Sequence, residues 1–207
     1  SETTSFDLIG AKYVRDIEPG EIVFIDEKGL KSVKPFEKAD RISKCVFEFI
    51  YFARPDSNIF GKNVYEVRKN LGKELAKEHP VEADLVIPVP DSGTAPALGY
   101  AEVSHIPFEM GIIRNHYIGR TFLSPAQTIR DFSVKIKLNP ISSIIRGKRV
   151  VVVDDSIVRG TTSRSRINSL RTAGAKEIHM RISCPPHRHA RYYGIDFPDE
   201  KQLIAAT

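Results

Sequence analysis

A run of four valines, Val150–Val153, leads directly into two carboxylates, Asp154 and Asp155. Consecutive β-branched residues favour a strand that is buried on both faces, which is typical of a parallel sheet covered by helices. Open α/β sheets bind ligands beyond the carboxyl ends of their strands. This feature therefore predicts a parallel α/β architecture and places two carboxylates at its ligand-binding edge.

The remaining pattern agrees with an α/β fold whose parallel central sheet is flanked by helices, because strands alternate with helices along most of the chain. The spacing predicts helices over 64–78, 95–103 and 163–173, and strands over 84–89 and 178–183.

Residues 1–40 have a different pattern of apolar and turn residues. Three short apolar pieces separated by turns, at 6–10, 13–17 and 21–25, predict a small β segment without crossover helices. We expect a boundary near residue 40, with one unit over 1–40 and a second over 41–207.

The segment after the two carboxylates suits a phosphate. It runs through Gly160 and three hydroxyl residues into a helix, whose N-terminal amides and dipole attract an anion. Carboxylates beside a phosphate make sense if they accept hydrogen bonds from hydroxyls, as on a ribose ring. A turn followed by a helix cap is the alternative. The candidate residues are Asp154, Asp155, Ser156, Val158, Arg159, Gly160, Thr161, Thr162 and Ser163.

A second loop, Pro90-Asp91-Ser92-Gly93, ends the strand predicted at 84–89. Gly93 permits an unusual backbone path, Ser92 offers a donor, and a helix N-terminus follows. Asp91, Ser92 and Gly93 are therefore candidates for a second anion site. A plain β-turn is the alternative on these residues alone.

Composition excludes several classes of protein. The formal net charge of +5 over 207 residues contains no run of like charges, so nucleic acid is not the expected partner. No apolar stretch approaches the roughly 20 residues that cross a bilayer. Two distant cysteines, Cys45 and Cys184, predict no disulfide framework and a reducing cytoplasm. Because the chain starts without Met and stops in an apolar run, we expect a piece of a longer protein.

The string 154–163 resembles the phosphoribosyl diphosphate (PRPP) motif of type I phosphoribosyltransferases. Segments 51–57, 68–72 and 117–122 are similar to signatures of glutamine PRPP amidotransferases, and this resemblance covers nearly the whole chain. It implies that Asp154 and Asp155 hold the ribose hydroxyls, that 156–163 binds the 5′-phosphate, and that 91–93 binds pyrophosphate.

The resemblance also implies a catalytic loop over 114–137 that closes over PRPP and excludes water. Arg114, Tyr117 and Arg120 are its candidate catalytic residues, since arginine stabilises charge on the leaving group. Mg²⁺ would bind through the pyrophosphate, near Asp91, Asp154 and Asp155. From the residues alone, a solvated surface loop over 114–137 is equally compatible.

The implied reaction converts PRPP and glutamine-derived ammonia into 5-phosphoribosylamine and pyrophosphate, the first committed step of purine synthesis. Residues 1–40 resemble the end of the glutaminase domain, so this chain is expected to retain only ammonia-dependent transfer. The family implies a homo-oligomer, commonly a tetramer, inhibited by purine nucleotides. A PRPP-sensing regulator and a salvage phosphoribosyltransferase are the alternatives.

Some relatives bind a [4Fe–4S] cluster through four thiolates. Cys45 lies where one ligand would be, but a second ligand position carries Arg191. Arg191 argues against a cluster, and both cysteines are predicted to be small buried hydrophobic residues.

Overall fold

The computed structural model describes residues 2–37, 41–115, 138–190 and 200–206. The strands are β1 (Ile22–Asp26), β2 (Gly29–Val33), β3 (Asn58–Ile59), β4 (Lys62–Asn63), β5 (Leu85–Pro88), β6 (Ile112–Arg114), β7 (Leu138–Pro140), β8 (Arg149–Asp154) and β9 (Glu177–Ile182). The helices are α1 (Thr4–Ile9), α2 (Val64–Glu78), α3 (Thr94–Ser104), α4 (Ser142–Ile145) and α5 (Thr161–Thr172), with a π-helical turn at Glu48–Phe52 and a 3-10 turn at Glu200–Gln202.

The central sheet is parallel, with β8 between β5 and β9. All four valines of β8 are fully buried. Val150 and Val152 pack with α4 and α5 on one face, whereas Val151 and Val153 pack with α2 and α3 on the other. This alternation follows from the two-residue period of a strand. The predicted parallel sheet flanked by helices is therefore confirmed.

Helices α2 and α3 cross at two glycines. A Cβ atom added to Gly72 would lie 1.9 Å from the Pro96 carbonyl oxygen, and one added to Gly99 would lie 1.9 Å from the Lys69 carbonyl oxygen. Only glycine permits backbones to approach this closely. The crossing holds both helices against the sheet behind the loop that follows β5.

The prediction for the N-terminal segment is partly wrong. Strand β1 and its antiparallel partner β2 fall where a strand was expected, but 6–10 lies mainly in helix α1 and 13–17 has no regular structure. Helix α1 is stabilised by contacts of Glu2 with residues 54 and 57 and by Gly10 at its C-terminal end. Glu2 Oε2 accepts hydrogen bonds from Arg54 N and Ser57 Oγ, at 2.7 and 2.6 Å. Gly10 ends the helix in the left-handed conformation.

The other predicted elements are confirmed within two residues at each end. The short elements β2, β3, β4, β6, β7 and α4 were not predicted from the sequence. None of the helices in the described ranges combines the length and apolar character needed to cross a bilayer.

Candidate functional site

Two loops meet at the carboxyl edge of the sheet, one after β5 and one after β8. Val89 N donates to Val153 O at 2.8 Å, and Gly93 N donates to Val89 O at 2.9 Å. A Cβ atom on Gly93 would lie 2.4 Å from Val153 O. Gly93 therefore lets the first loop lie directly against the end of β8, one residue before Asp154. The Pro90–Asp91 peptide bond in this loop is cis.

Asp154 is held by donors of the protein itself. Its side chain is buried, and Oδ1 accepts a hydrogen bond from Asp155 N at 3.0 Å. Oδ2 forms an ion pair with Arg166 Nη1 from helix α5. Burial raises the pKa of Asp154 to about 6, although Arg166 acts in the opposite direction. The carboxylate is therefore ionised at neutral pH but is easier to protonate than an exposed aspartate.

Asp155 has a different environment. It is only 6% exposed, and Oδ1 accepts a hydrogen bond from Ser156 Oγ at 2.9 Å. Oδ2 is buried and has no hydrogen-bond partner among the described residues. Buried carboxylate oxygens are almost always hydrogen-bonded, so this unpartnered oxygen is a candidate acceptor for a donor of a ligand.

Helix α5 begins beside these carboxylates. Gly160 precedes it in the left-handed conformation, with φ 75°, and no side chain caps the helix. Thr161 and Thr162 are exposed, whereas Ser163 is buried. An uncapped N-terminus offers amide donors and a favourable dipole to an anion. The segment predicted to bind phosphate therefore has the expected local structure.

The two remaining residues of this loop differ in role. Val158 packs in the apolar cluster of Phe47, Ile50 and Leu203, and its carbonyl oxygen accepts from Ile204 N at 3.0 Å. Arg159 is exposed. Val158 therefore anchors the loop, and the Arg159 side chain extends from its surface.

Arg114 joins the first loop from the end of β6, where it forms an ion pair with Asp91. Asp91 and Arg114 are both partly exposed at this edge. The structure thus brings together Arg114, the loop of Asp91, Ser92 and Gly93, and the Asp154–Ser163 segment. Tyr117 and Arg120, the other two predicted catalytic residues, lie outside the described residues.

Sequence reasoning missed two arginines. Arg166 is twelve residues beyond Asp154, too far for a local motif to connect them. Arg68 carried a usable signal, because it lies on the buried stripe of α2 between Val64 and Gly72. It donates to Phe49 O at 2.5 Å and to Ala53 O at 2.8 Å. Burial lowers the pKa of Arg68, while the charge of Asp155 opposes that shift.

Both cysteines of the chain lie in an apolar environment. Cys184 is buried and Cys45 is half-buried, and both contribute to the apolar cluster around Phe47. Burial raises the pKa of the Cys184 thiol to about 12. Within the described residues, no group of three or more His, Cys, Asp or Glu side chains is arranged to hold a metal. Arg191 lies outside them.

Comparison with known families agrees with this geometry. The sequence model of one protein family, the phosphoribosyl transferase domain, matches residues 61–202. These residues include both loops and the whole central sheet. The chain belongs to the phosphoribosyl transferase domain family. The predicted type I phosphoribosyltransferase fold is thereby confirmed.

Within this family, the chain is homologous over its whole length to amidophosphoribosyltransferases. It is 54% identical to the chloroplastic enzyme of Glycine max, covering 99% of this chain and 36% of that protein. It is 54% identical to the enzyme of Synechocystis sp., covering 100% and 41% respectively. The solved B. subtilis glutamine PRPP amidotransferase, complexed with ADP and GMP, is 52% identical with a TM-score of 0.88, covering 100% and 45%. The chain thus spans about two fifths of the length of these relatives.

Proposed function

We propose that this chain performs the transferase half of the amidophosphoribosyltransferase reaction, in which PRPP and ammonia give 5-phosphoribosylamine and pyrophosphate. The observation that carries the proposal is the open, buried Oδ2 of Asp155 beside the uncapped start of α5. Hydroxyl donors and a phosphate group on one ligand fit this pair of features. Identity above 50% to amidophosphoribosyltransferases over nearly the whole chain favours this reaction within the family.

The proposed orientation of PRPP follows from the two loops. The 5′-phosphate binds the amides and hydroxyls that start α5, and the ribose hydroxyls donate to Asp155 and Asp154. The pyrophosphate lies against the loop of Asp91, Ser92 and Gly93. Gly93 supports this arrangement, because it brings that loop against the end of β8.

In the reaction, the ammonia lone pair forms a bond to C1 of the ribose while the bond from C1 to the pyrophosphate oxygen breaks. The leaving group keeps the bonding electrons, and the amine loses a proton after the new bond forms. Arg114 beside Asp91 supplies positive charge near the proposed leaving group. We assign Tyr117 and Arg120 to the same catalytic loop, which excludes water in competition with ammonia.

The described carboxylates fit Mg²⁺ that is held mainly by PRPP, because Asp91 is exposed on the facing loop while no three acidic, His or Cys side chains of the described residues form a metal site of their own. We propose that Asp91, Asp154 and Asp155 lie around Mg²⁺ carried by PRPP. The bound ion would neutralise part of the pyrophosphate charge.

We assign residues 1–40 to the end of a glutaminase domain and 41–207 to the transferase domain. Apolar side chains in the first segment are more than three-fifths exposed, which fits a surface that further chain covers: Leu8, Ile9, Val14, Ile17, Ile25 and Leu30. The whole protein would then use glutamine as its ammonia source.

Purine nucleotides are proposed inhibitors, since the B. subtilis relative was solved with ADP and GMP. We also expect a homo-oligomer. A cytoplasmic location fits the low cysteine content, since the chain has only two cysteines, Cys45 and Cys184, far apart in the sequence.

The test is release of pyrophosphate from PRPP and Mg²⁺ by the full-length protein, with ammonia or glutamine as nitrogen donor. Asp155→Asn should lower kcat/KM about 100-fold, because it replaces a charged acceptor of ribose hydroxyls. Asp26→Asn, an exposed aspartate on the β1–β2 hairpin, is the matched control and should behave as wild type. Tight PRPP binding without release would instead indicate a regulator, and release that requires a purine base would indicate a salvage enzyme.

A further inference from the structure

The two carboxylates at the end of β8 are not equivalent. Both side-chain oxygens of Asp154 receive donors from the protein, one from Asp155 N and one from Arg166. Asp155 keeps one buried oxygen that has no hydrogen-bond partner within the described ranges. One aspartate is therefore fixed by protein donors, while its neighbour keeps one acceptor oxygen without a donor from the described residues.

Arg166 belongs to the helix that begins at the proposed phosphate site. It lies five residues after Thr161, about 7 to 8 Å along the axis of α5. Its charged end reaches back to the end of β8, where it contacts Asp154. The same helix thus provides its N-terminal amides at the proposed phosphate site and the Arg166 side chain at Asp154.

The ion pair between Arg166 and Asp154 is largely buried. The Arg166 side chain is 24% exposed and that of Asp154 is 4% exposed, so solvent screens the pair weakly. Arg166 Nε is buried and has no hydrogen-bond partner in the described part of the chain. Asp154 therefore provides the main compensation for placing this guanidinium inside the protein.

We propose that Arg166 is a positioning residue of the ribose subsite, which locks Asp154 so that the open oxygen of Asp155 and the start of α5 keep a fixed spacing. This inference rests on the proposed use of PRPP. Arg166 does not contact PRPP in this scheme but acts through Asp154. Without Arg166, the Asp154 carboxylate would rotate. It would then accept hydrogen bonds from the N-terminal amides of α5 that otherwise bind the phosphate.

The experiment measures PRPP dissociation constants and steady-state pyrophosphate release for the full-length protein. Arg166→Met keeps the aliphatic stem and removes the charge, so KM for PRPP should rise about tenfold with kcat changed less than about threefold. Arg166→Lys should recover most of this loss, because the contact uses one nitrogen and a point charge can replace it in part. Arg171→Met is the matched control, since Arg171 is exposed in the last turn of the same helix.

A double-mutant cycle with Asp154→Asn separates positioning from a general structural role. If Arg166 acts through Asp154, then Arg166→Met should not weaken PRPP binding further in the Asp154→Asn background. Equal PRPP affinity in Arg166→Met and Arg171→Met, or fully additive losses in the cycle, would overturn the inference while leaving the proposed function intact. Failure of the wild type to bind PRPP would overturn both. If Arg166→Met unfolds, Arg166→Gln, which also removes the charge but keeps a polar group, gives the same decision in the same cycle.

Discussion

Segments 68–72 and 154–163 both resemble signatures of one enzyme family, but their residues have different surroundings. In the first, Arg68 bonds two carbonyl groups of the protein and Gly72 contacts the backbone of a neighbouring helix. In the second, a buried carboxylate oxygen has no hydrogen-bond partner in the described ranges, and no side chain caps the start of α5. A recognisable motif can therefore be structural, whereas polar groups without protein partners are typical of a binding site.

Gly72 and Gly160 differ in the same way. Gly72 lets two helices touch, so its role is fulfilled in the absence of ligand. Gly160 turns the chain in the left-handed conformation just before an uncapped helix. Changes in the first segment should therefore reduce stability, whereas changes in the second should alter ligand binding or charge.

The largest expected effect comes from Gly72→Ala. The added methyl group would lie 1.9 Å from Pro96 O, and a backbone atom cannot move away without shifting α3. We expect the free energy of unfolding to fall by about 3 kcal/mol or more. Urea denaturation measures this change, and Asn70→Ala, on the exposed side of α2, is the control. Wild-type stability in Gly72→Ala would show that the helices can separate freely at this crossing.

Arg68→Met tests the comparison where it is weakest, because the charge of Arg68 also acts on Asp155. One buried and one partly buried carbonyl group would lose their donor, which should cost about 2 to 3 kcal/mol of stability. PRPP affinity should change less than about threefold, since the contacts of Arg68 are to Phe49 O and Ala53 O.

For Arg68→Met, urea denaturation measures the free energy of unfolding and PRPP titration measures the dissociation constant. Lys77→Met is an exposed control on the same helix. A tenfold loss of PRPP affinity at unchanged stability would show that Arg68 acts in PRPP binding and not in stabilising the fold.

Much of the fold follows from local pattern, but the contacts within the site do not. Four valines predict the central strand because burial on both faces needs apolar residues in every position. Helix α1 was missed because its apolar residues show no clear period and Glu2 and Thr3 fix it through residues 54–58.

The candidate loops were predicted correctly as structure, since glycine and hydroxyl residues have strong local preferences. The Arg166 contact with Asp154 was not, because it depends on how α5 packs onto the sheet. No sequence pattern distinguishes Arg166 from the exposed Arg164 two positions earlier. The unequal hydrogen bonding of Asp154 and Asp155 likewise depends on tertiary structure, since Arg166 contacts only Asp154.

The smallest expected effect concerns Asp154 in the ligand-free and metal-free protein. Its pKa of about 6 is above that of an aspartate in the unfolded chain, so the folded state binds more protons between those values. Stability from this group is therefore fully present below the unfolded pKa and is lost as the pH rises through 6. Between pH 7 and pH 5 its contribution should increase the free energy of unfolding by about 1 kcal/mol.

Asp154→Asn isolates this contribution, because histidines and other groups titrate in both proteins and cancel in the difference. Urea denaturation at pH 7 and pH 5 should show the increase of about 1 kcal/mol in wild type relative to the variant. The lowered pKa values of Asp84 and Glu102 affect stability only at more acidic pH, outside this window. The same pH dependence in both proteins would mean that Arg166 offsets the burial of Asp154 completely, making the carboxylate as acidic as an exposed one.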